Sequence, residues 1–481
     1  MEELHALILY ILAWVVVSLL IVWKLIFQFD PSKLPRWKFS KFVENPTLVG
    51  ATDYEQRILV VGAGFCGLGI GGAFKRYGIA YDCVEKEDSI GGNWNNGVYE
   101  SCHIISSRKT TEFKDFPMPE GTSDFPSCFD MINYLRSYCE FFGLMDSISL
   151  NTTVDLVEYD ETNKLFDVTL SFKNGRKERR TYKGVVVANG HHWSKRFPTF
   201  KGDFSGDIIH SKDYKKADQI IGKRILVVGG GNSACDIAVE ASRFAVSSHI
   251  SMRRGYWFIP RAFAGIPAVE MVRPWMPLWM QRILVYLMIR ATFGSFAKYG
   301  LQEPDHKIFQ HHPVINSELL QKIHLGDVKP HGDIERCDGK TVFFKDGTQV
   351  EVDVIVCATG YHVGAPFLHS SLVRYKRGIP QFVGGLFSPS IPHLYYFGYG
   401  QVRYGAGPLI TLGADFLAHA IQVQDACQRP VGALLRKLGV KNPQKARMAN
   451  DVLVDPHVAH TGMVAGKWLL RFVPLLDRYS S

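Results

Sequence analysis

Gly62-Ala63-Gly64-Phe65-Cys66-Gly67 and Gly229-Gly230-Gly231-Asn232-Ser233-Ala234 repeat one spacing, G-x-G-x-x-(G/A), within a single chain. Each follows an apolar run without a gap, Ile58-Leu59-Val60-Val61 in one case and Ile225-Leu226-Val227-Val228 in the other. Such runs read as buried parallel strands that turn sharply into helices. The first glycine permits the turn, the second lets backbone approach a pyrophosphate, and the third small residue lets helix and strand pack closely. The helix N-terminus then offers unpaired N–H groups and a partial positive charge. Two such units imply two dinucleotides brought together, and hence electron transfer between them.

The residues beyond each turn differentiate the sites. A dinucleotide fold ends its second strand roughly 20 residues after the glycines, beside the adenosine ribose. In the first unit that place holds Glu85, after Tyr81-Asp82-Cys83-Val84. A carboxylate there accepts from a free ribose diol and repels a 2′-phosphate, which favours FAD or NAD. In the second unit the place holds Arg253 and Arg254, after His249-Ile250-Ser251-Met252. Guanidinium forks suit a 2′-phosphate, which favours NADPH. The competing reading, solvated surface charges, does not account for both falling where the fold puts them.

The elements that must position these groups need room, and 481 residues supply two or three domains. The formal charge of +9 is modest. Its basic residues are scattered or flank apolar segments, without the basic-aromatic stripe of a nucleic-acid site. The nine cysteines show no C-x-x-C and read as reduced, buried thiols. No zinc spacing, H-E-x-x-H or G-x-S-x-G occurs, so no metal site is expected, and a metalloprotease or serine hydrolase finds no support. His191-His192 and His311-His312 read as loop or core residues rather than ligands.

Ala6 to Phe27 is almost wholly apolar. As a helix it spans about 33 Å, enough for a hydrocarbon core of about 30 Å. Its start is acidic and it lacks a small-residue cleavage site, unlike a signal peptide. Lys24, Lys33, Arg36, Lys38 and Lys41 lie downstream, so the folded part is expected on the cytoplasmic side, at the endoplasmic reticulum in a eukaryote. Met271 to Lys298 and Trp468 to Leu476 mix large apolar residues with arginines. They read either as interfacial segments or as parts of the protein's own core.

Phe204-Ser205-Gly206-Asp207-Ile208-Ile209-His210-Ser211-Lys212-Asp213-Tyr214 fits F-x-G-x-x-x-H-x-x-x-(Y/F) and resembles the fingerprint of the flavin-containing monooxygenases, the N- and S-oxygenating group of class B flavoprotein monooxygenases. Gly91-Gly92-Asn93-Trp94, Asp115-Phe116-Pro117-Met118-Pro119, Gly231 to Ala238 and Asp353 to Tyr361 are similar to further motifs of that family, in the same order along residues 55 to 420. The Asp353–Cys357 run ends in Thr359-Gly360, a bend where backbone can approach a flavin. The Gly206–His210 segment reads as the link between cofactor domains, without an acid or base role of its own. It either helps to couple NADPH docking to the flavin or serves as a structural linker.

The resemblance implies an α/β protein with two Rossmann-like domains behind an N-terminal transmembrane helix. The expected order is an anchor over 1–29, a basic linker over 30–53, the first part of the FAD domain over 54–203, an inserted NADPH domain over 204–332 with an apolar-basic insertion near 271–300, and the rest of the FAD domain over 333–481. NADPH would reduce the flavin, and a flavin 4a-hydroperoxide formed with dioxygen would oxygenate an amine nitrogen or a sulfur. FAD contacts are implied for Gly62, Gly64, Phe65, Cys66, Gly67, Glu85, Asn93, Trp94, Thr359, Gly360 and Gln401. NADPH contacts are implied for Gly229, Gly231, Asn232, Ser233, Ala234, Cys235, Asp236, Arg253 and Arg254, with Ser233 to Asp236 against the pyrophosphate. No side chain is assigned a catalytic role. Where the family has Asn, ten residues before D-F-P, this chain has Ile105, with Ser106 one position on. Losing that amide removes two donors and an acceptor beside the reactive atoms, so the expected outcomes are peroxide leakage, a preference for ketones, a role moved to another side chain, or a changed substrate range. Ketone monooxygenases of the Baeyer–Villiger type share both fingerprints, but usually carry Trp where this chain has Tyr214. An NADPH oxidase releasing hydrogen peroxide is the alternative of another class. A homo-oligomer is compatible with the sequence, which does not fix the oligomeric state.

Overall fold

A computed structural model describes residues 53–273, 276–440 and 453–479. The expected anchor, Ala6 to Phe27, and nearly all of the basic linker lie outside them. Among the described residues no helix is long and apolar enough to cross a membrane. All of them fall in one compact body, whose two parallel sheets mark a first and a second unit.

Ten short strands build two parallel sheets: β1 (Ile58–Val61), β2 (Tyr81–Val84), β3 (Ile148–Ser149), β4 (Gly184–Val187), β5 (Asp207–His210), β6 (Arg224–Val228), β7 (Ser247–Ser251), β8 (Val328–His331), β9 (Val354–Cys357) and β10 (Leu394–Tyr396). The first sheet runs β10-β4-β1-β2-β3 and the second β5-β9-β6-β7-β8. Every residue of β1, β4 and β9 is buried, as expected of β-branched runs covered on both faces. Helix α1 (Phe65–Tyr77) follows β1, and α2 (Asn232–Phe244) follows β6. Further along lie α3 (Leu278–Phe293), α4 (Gly407–Asp425), α5 (Pro456–Leu470) and α6 (Val473–Tyr479).

The two glycine turns use one device. Gly62 sits at φ +109° and Gly229 at φ +135°, where side chains are strained. A Cβ on Gly62 would lie 2.7 Å from the Ala188 carbonyl oxygen, and one on Gly229 2.4 Å from that of Ala358. Each turn is thus pressed against the exit of the neighbouring strand, β4 or β9.

The strand Val354–Cys357 corrects the expected domain boundary. It was assigned to the resumed first domain, yet β9 pairs with β5 and β6 in the second sheet. Residues 334–351 also stay with the second unit, as three mutually antiparallel strands whose first, Ile334–Gly339, pairs parallel with Gly202–Phe204, and they pack Val342 and Phe344 against Leu226 and Ile355. An apolar strand run does not reveal its neighbours, because both sheets need the same buried residues. The chain passes between the units twice, through Ser194–Lys195 and Tyr361–His362, and these two links pair antiparallel.

The nine cysteines form no disulfide; Cys66 and Cys427 are half-buried and the others buried. The segment 271–298 divides its faces. In α3, Val285, Met288 and Ile289 are buried, while Trp279, Ile283 and Leu287 are exposed.

Candidate functional site

A cavity of about 1630 Å³ lies along the C-terminal ends of both parallel sheets, where α/β folds bind ligands. It exceeds the about 300–1,000 Å³ of a site for one drug-sized ligand.

At the first turn Gly64 caps α1 without any side-chain hydrogen bond, so the orphan N–H groups of the helix remain for a ligand. Glu85 leaves β2 with its carboxylate fixed: Oε2 accepts from the Ala63 N–H at 2.8 Å and Oε1 from the Glu87 N–H at 3.1 Å. Burial pushes its pKa up, against those backbone donors. A second glycine turn closes over the first, since a Cβ on Gly92 would lie 2.9 Å from the Gly64 Cα. The wide helical turn Asn93–Gly97 follows. Trp94 packs against both main core clusters, and the Asn93 Oδ1 is buried without a hydrogen-bond partner. Ser106 is buried with its hydroxyl 2.6 Å from that of Thr111. Ile105 lines the cavity and packs on the second unit's core.

At the second turn Gly231 caps α2, again without a side-chain bond. A Cβ there would meet nothing within 4 Å, so open space fronts the helix. The residues after it divide. Ser233 lines the cavity. Ala234 and Cys235 are fully buried and, like Gly67, lie outside the cavity wall. Gly67 serves packing: a Cβ there would lie 1.8 Å from the Gly62 oxygen. Asn232 and Asp236 do line the cavity, but their side chains are occupied. Asn232 donates to the Pro313 carbonyl at 3.2 Å and accepts from the Ile315 N–H at 2.8 Å. The Asp236 carboxylate accepts from the Tyr99 hydroxyl and from the Asn316 amide, each at 2.8 Å. A carboxylate would also repel a pyrophosphate, so the Asp236 side chain serves as an anchor, and the Ala234 and Cys235 side chains serve packing.

Arg253 is exposed at the cavity wall. Arg254 is held between the Tyr256 ring, 5.2 Å away, and His311, whose ring nitrogens lie 3.3 and 3.4 Å from the guanidinium. Its Nε–H is buried without a partner. The two uncapped helix starts, the clamped Glu85 and the preset Arg254 fit a dinucleotide at the first turn and a 2′-phosphorylated one at the second.

Between these sites the fingerprint segment splices the units. A Cβ on Gly206 would lie 2.4 Å from the Asp353 oxygen, so glycine lets β5 lie beside β9. His210 pairs through Nε2 with the Gly360 carbonyl at 3.1 Å and accepts from the Lys212 N–H at 3.1 Å. The Tyr214 hydroxyl donates to Glu240 at 2.5 Å. Thr359 and Gly360 line the cavity at the exit of β9, and Arg196 donates twice to the Thr359 carbonyl, at 2.9 and 2.7 Å.

Sequence reasoning missed Arg196, Asn189 and the histidines. His191, His192, His311 and His312 lie in loops, and all four line the cavity. Enclosure in the wall pushes His191 down to about 4 and His192 well below its usual value. Gln401 lies where the His192 Nε2 is 3.4 Å from its amide nitrogen. The available signal was position, since His191 and His192 closely follow the exit of β4.

Residues 55–395 match the family model described as "Flavin-binding monooxygenase-like". Flavin-containing monooxygenase 5 of Oryctolagus cuniculus is 31% identical over 349 residues, 67% of this chain and 65% of that protein. Flavin-containing monooxygenase 2 of Homo sapiens is 32% identical over 351 residues, with the same shares. The match thus spans slightly less than two thirds of these relatives' length. Among solved structures, an S-allyl-L-cysteine S-oxygenase from Allium sativum superposes with a TM-score of 0.60 at 19% identity, covering 88% of this chain and 93% of its own. That likeness concerns the fold.

Proposed function

The chain belongs to the flavin-binding monooxygenase-like family, and from that premise we propose that it is an FAD-containing, NADPH- and dioxygen-dependent monooxygenase acting on a soft nucleophile, an amine nitrogen or a sulfur. The observation that carries this reading is the single cavity shared by both glycine turns, with Glu85 at one ribose position and Arg253 and Arg254 at the other. Bound FAD would supply dioxygen activation, and bound NADPH the electrons. The chain's own residues orient and enclose. Gly64 and Gly231 present helix N–H groups to pyrophosphates, Glu85 accepts from a ribose diol, and Arg254 pairs with a 2′-phosphate. Trp94, Ile105 and Tyr361 shield the interior from water.

The test is a purified, yellow protein that consumes NADPH and oxygenates a thioether or a tertiary amine. Oxygenation of a cyclic ketone alone would move the assignment to the Baeyer–Villiger type. One observation favours the oxidase reading: Ile105 places an apolar side chain in the cavity wall, at the position of the family's Asn. NADPH oxidation fully matched by hydrogen peroxide with every nucleophile would establish it.

We also assign the exposed apolar faces of α3 (Trp279, Ile283, Leu287) and of α5 and α6 (Trp468, Phe472, Leu475) to a membrane interface. The catalytic unit would then sit at the cytoplasmic face, at the endoplasmic reticulum in a eukaryote. Co-sedimentation with anionic vesicles, lost on Trp279→Ser with Leu287→Ser, tests this.

A further inference from the structure

Both sheets lay out a dinucleotide in the same order. In the first, Glu85 leaves β2 and the glycine turn leaves β1; β4 and β10 follow on the other side. In the second, Arg253 and Arg254 lie just beyond β7 and the turn leaves β6; β9 follows on the other side. A ligand with its adenosine ribose at the charged end and its pyrophosphate at the turn must direct its other half toward β4 and β10 in one unit and toward β9 in the other.

The residues beyond those strands meet. His191 and His192 lie beyond β4, Gln401 beyond β10 and Tyr361 beyond β9. The rings of His192 and Tyr361 lie 5.2 Å apart. His312, from the second unit, lines the same cavity.

Hydrogen bonds set the tautomers of the pair. The His191 Nδ1–H donates to the Gly398 carbonyl at 3.2 Å, which leaves its Nε2 an acceptor. The Gln401 amide donates to the His192 Nε2 at 3.4 Å, so the His192 hydrogen sits on Nδ1 as a donor. The two rings stand edge to face, 4.0 Å apart. Burial, with His191, His312 and Lys212 beside it, disfavours charge on His192, and burial does the same for His191, so both imidazoles stay neutral. One acceptor beside one donor is the complement of a primary carboxamide.

We infer that His191 and His192 recognise the carboxamide of the nicotinamide ring at the seam between the units. His191 accepts from the amide N–H and His192 donates to its carbonyl. This rests on the proposed use of FAD and NADPH.

The test is equilibrium binding to the full-length, flavin-loaded protein, read by flavin absorbance or calorimetry. The probes are NADP+, its 3-acetylpyridine analogue, which keeps the carbonyl but lacks the N–H, and 2′,5′-ADP, which lacks the ring. A site that hydrogen-bonds a group rejects the analogue without it, so NADP+ should bind about tenfold more tightly than the analogue. His191→Leu should level the two, and His191→Gln, which keeps an acceptor, should restore the preference. His192→Leu should weaken both about tenfold. Binding of 2′,5′-ADP should be the same in every variant, which also reports that each is folded. An unchanged preference in His191→Leu, or no preference in the parent protein, overturns the carboxamide assignment alone. A parent protein that takes up neither flavin nor 2′,5′-ADP overturns the underlying function as well.

Discussion

The two glycine turns are nearly the same object, and the ends of the next strands are opposites. Gly62 and Gly229 share a left-handed conformation and press on the next strand exit in the same way. Yet Glu85 is buried and clamped by two backbone N–H groups, whereas Arg254 is stacked between two rings with an unpaired Nε–H. On the proposed reading, the turn chemistry would answer to the pyrophosphate that both cofactors carry, and the strand-end chemistry to the ribose, where the cofactors differ. Binding and identity would then be separable within each unit.

That separation can be broken at its strongest point first. Gly62→Val adds a side chain 2.7 Å from the Ala188 oxygen at φ +109°. Strain of this kind costs roughly 1–3 kcal/mol before any clash, so the variant should purify without flavin absorbance, or not fold. A yellow Gly62→Val protein would show that the turn does not hold the first cofactor.

Arg254→Ala should raise the Kd of NADPH by about 10- to 100-fold, since a charged hydrogen bond contributes roughly 1.5–3 kcal/mol. NADH binding should hardly change. Arg253→Ala, at an exposed position, should act in the same direction but less. Equal losses for the two nucleotides would refute the phosphate assignment.

Ile105→Asn returns an amide to the cavity. The fraction of NADPH electrons appearing as hydrogen peroxide should fall by about two- to fivefold, a change within the range of one neutral hydrogen bond. Peroxide assays alongside product yield measure it. No change would mean that other groups already supply the contact.

The smallest effect concerns stability. His249 in β7 and His331 in β8, diagonal to each other across the ladder, lie 2.9 Å apart, Nδ1 to Nε2. Burial lowers both, His249 to about 4. A histidine depressed in the fold takes up its proton more readily when unfolded, so stability falls as pH drops from about 6.5 toward 4. The paired first-sheet strands β2 and β3 carry no titrating pair of this kind at Cys83, Val84, Ile148 and Ser149. Hydrogen exchange at pH 5 should therefore loosen β7 and β8 before β2 and β3, and His331→Phe should reduce the difference.

Legibility followed the reach of each constraint. The strand–turn–helix units were readable because their glycine spacing is local. The placing of Glu85 and Arg254 at the cavity wall was readable because the fold fixes their distance from the turn. The anchoring role of the Asp236 side chain was not legible, because its partners, Tyr99 and Asn316, come from far along the chain. The boundary at 333 was misplaced because Val354–Cys357 would satisfy either sheet.

By itself the sequence determined the family, the two strand–glycine turn–helix units and the opposite charges at the ends of the strands that follow, because these depend on residues close together along the chain. Tertiary structure alone decided which sheet receives β9, which side chains are consumed in anchoring, and that His191, His192, Gln401 and Tyr361 converge on one cavity. Convergence depends on strand order. Strand order is set by how two similar apolar surfaces pack, and apolar residues carry no address.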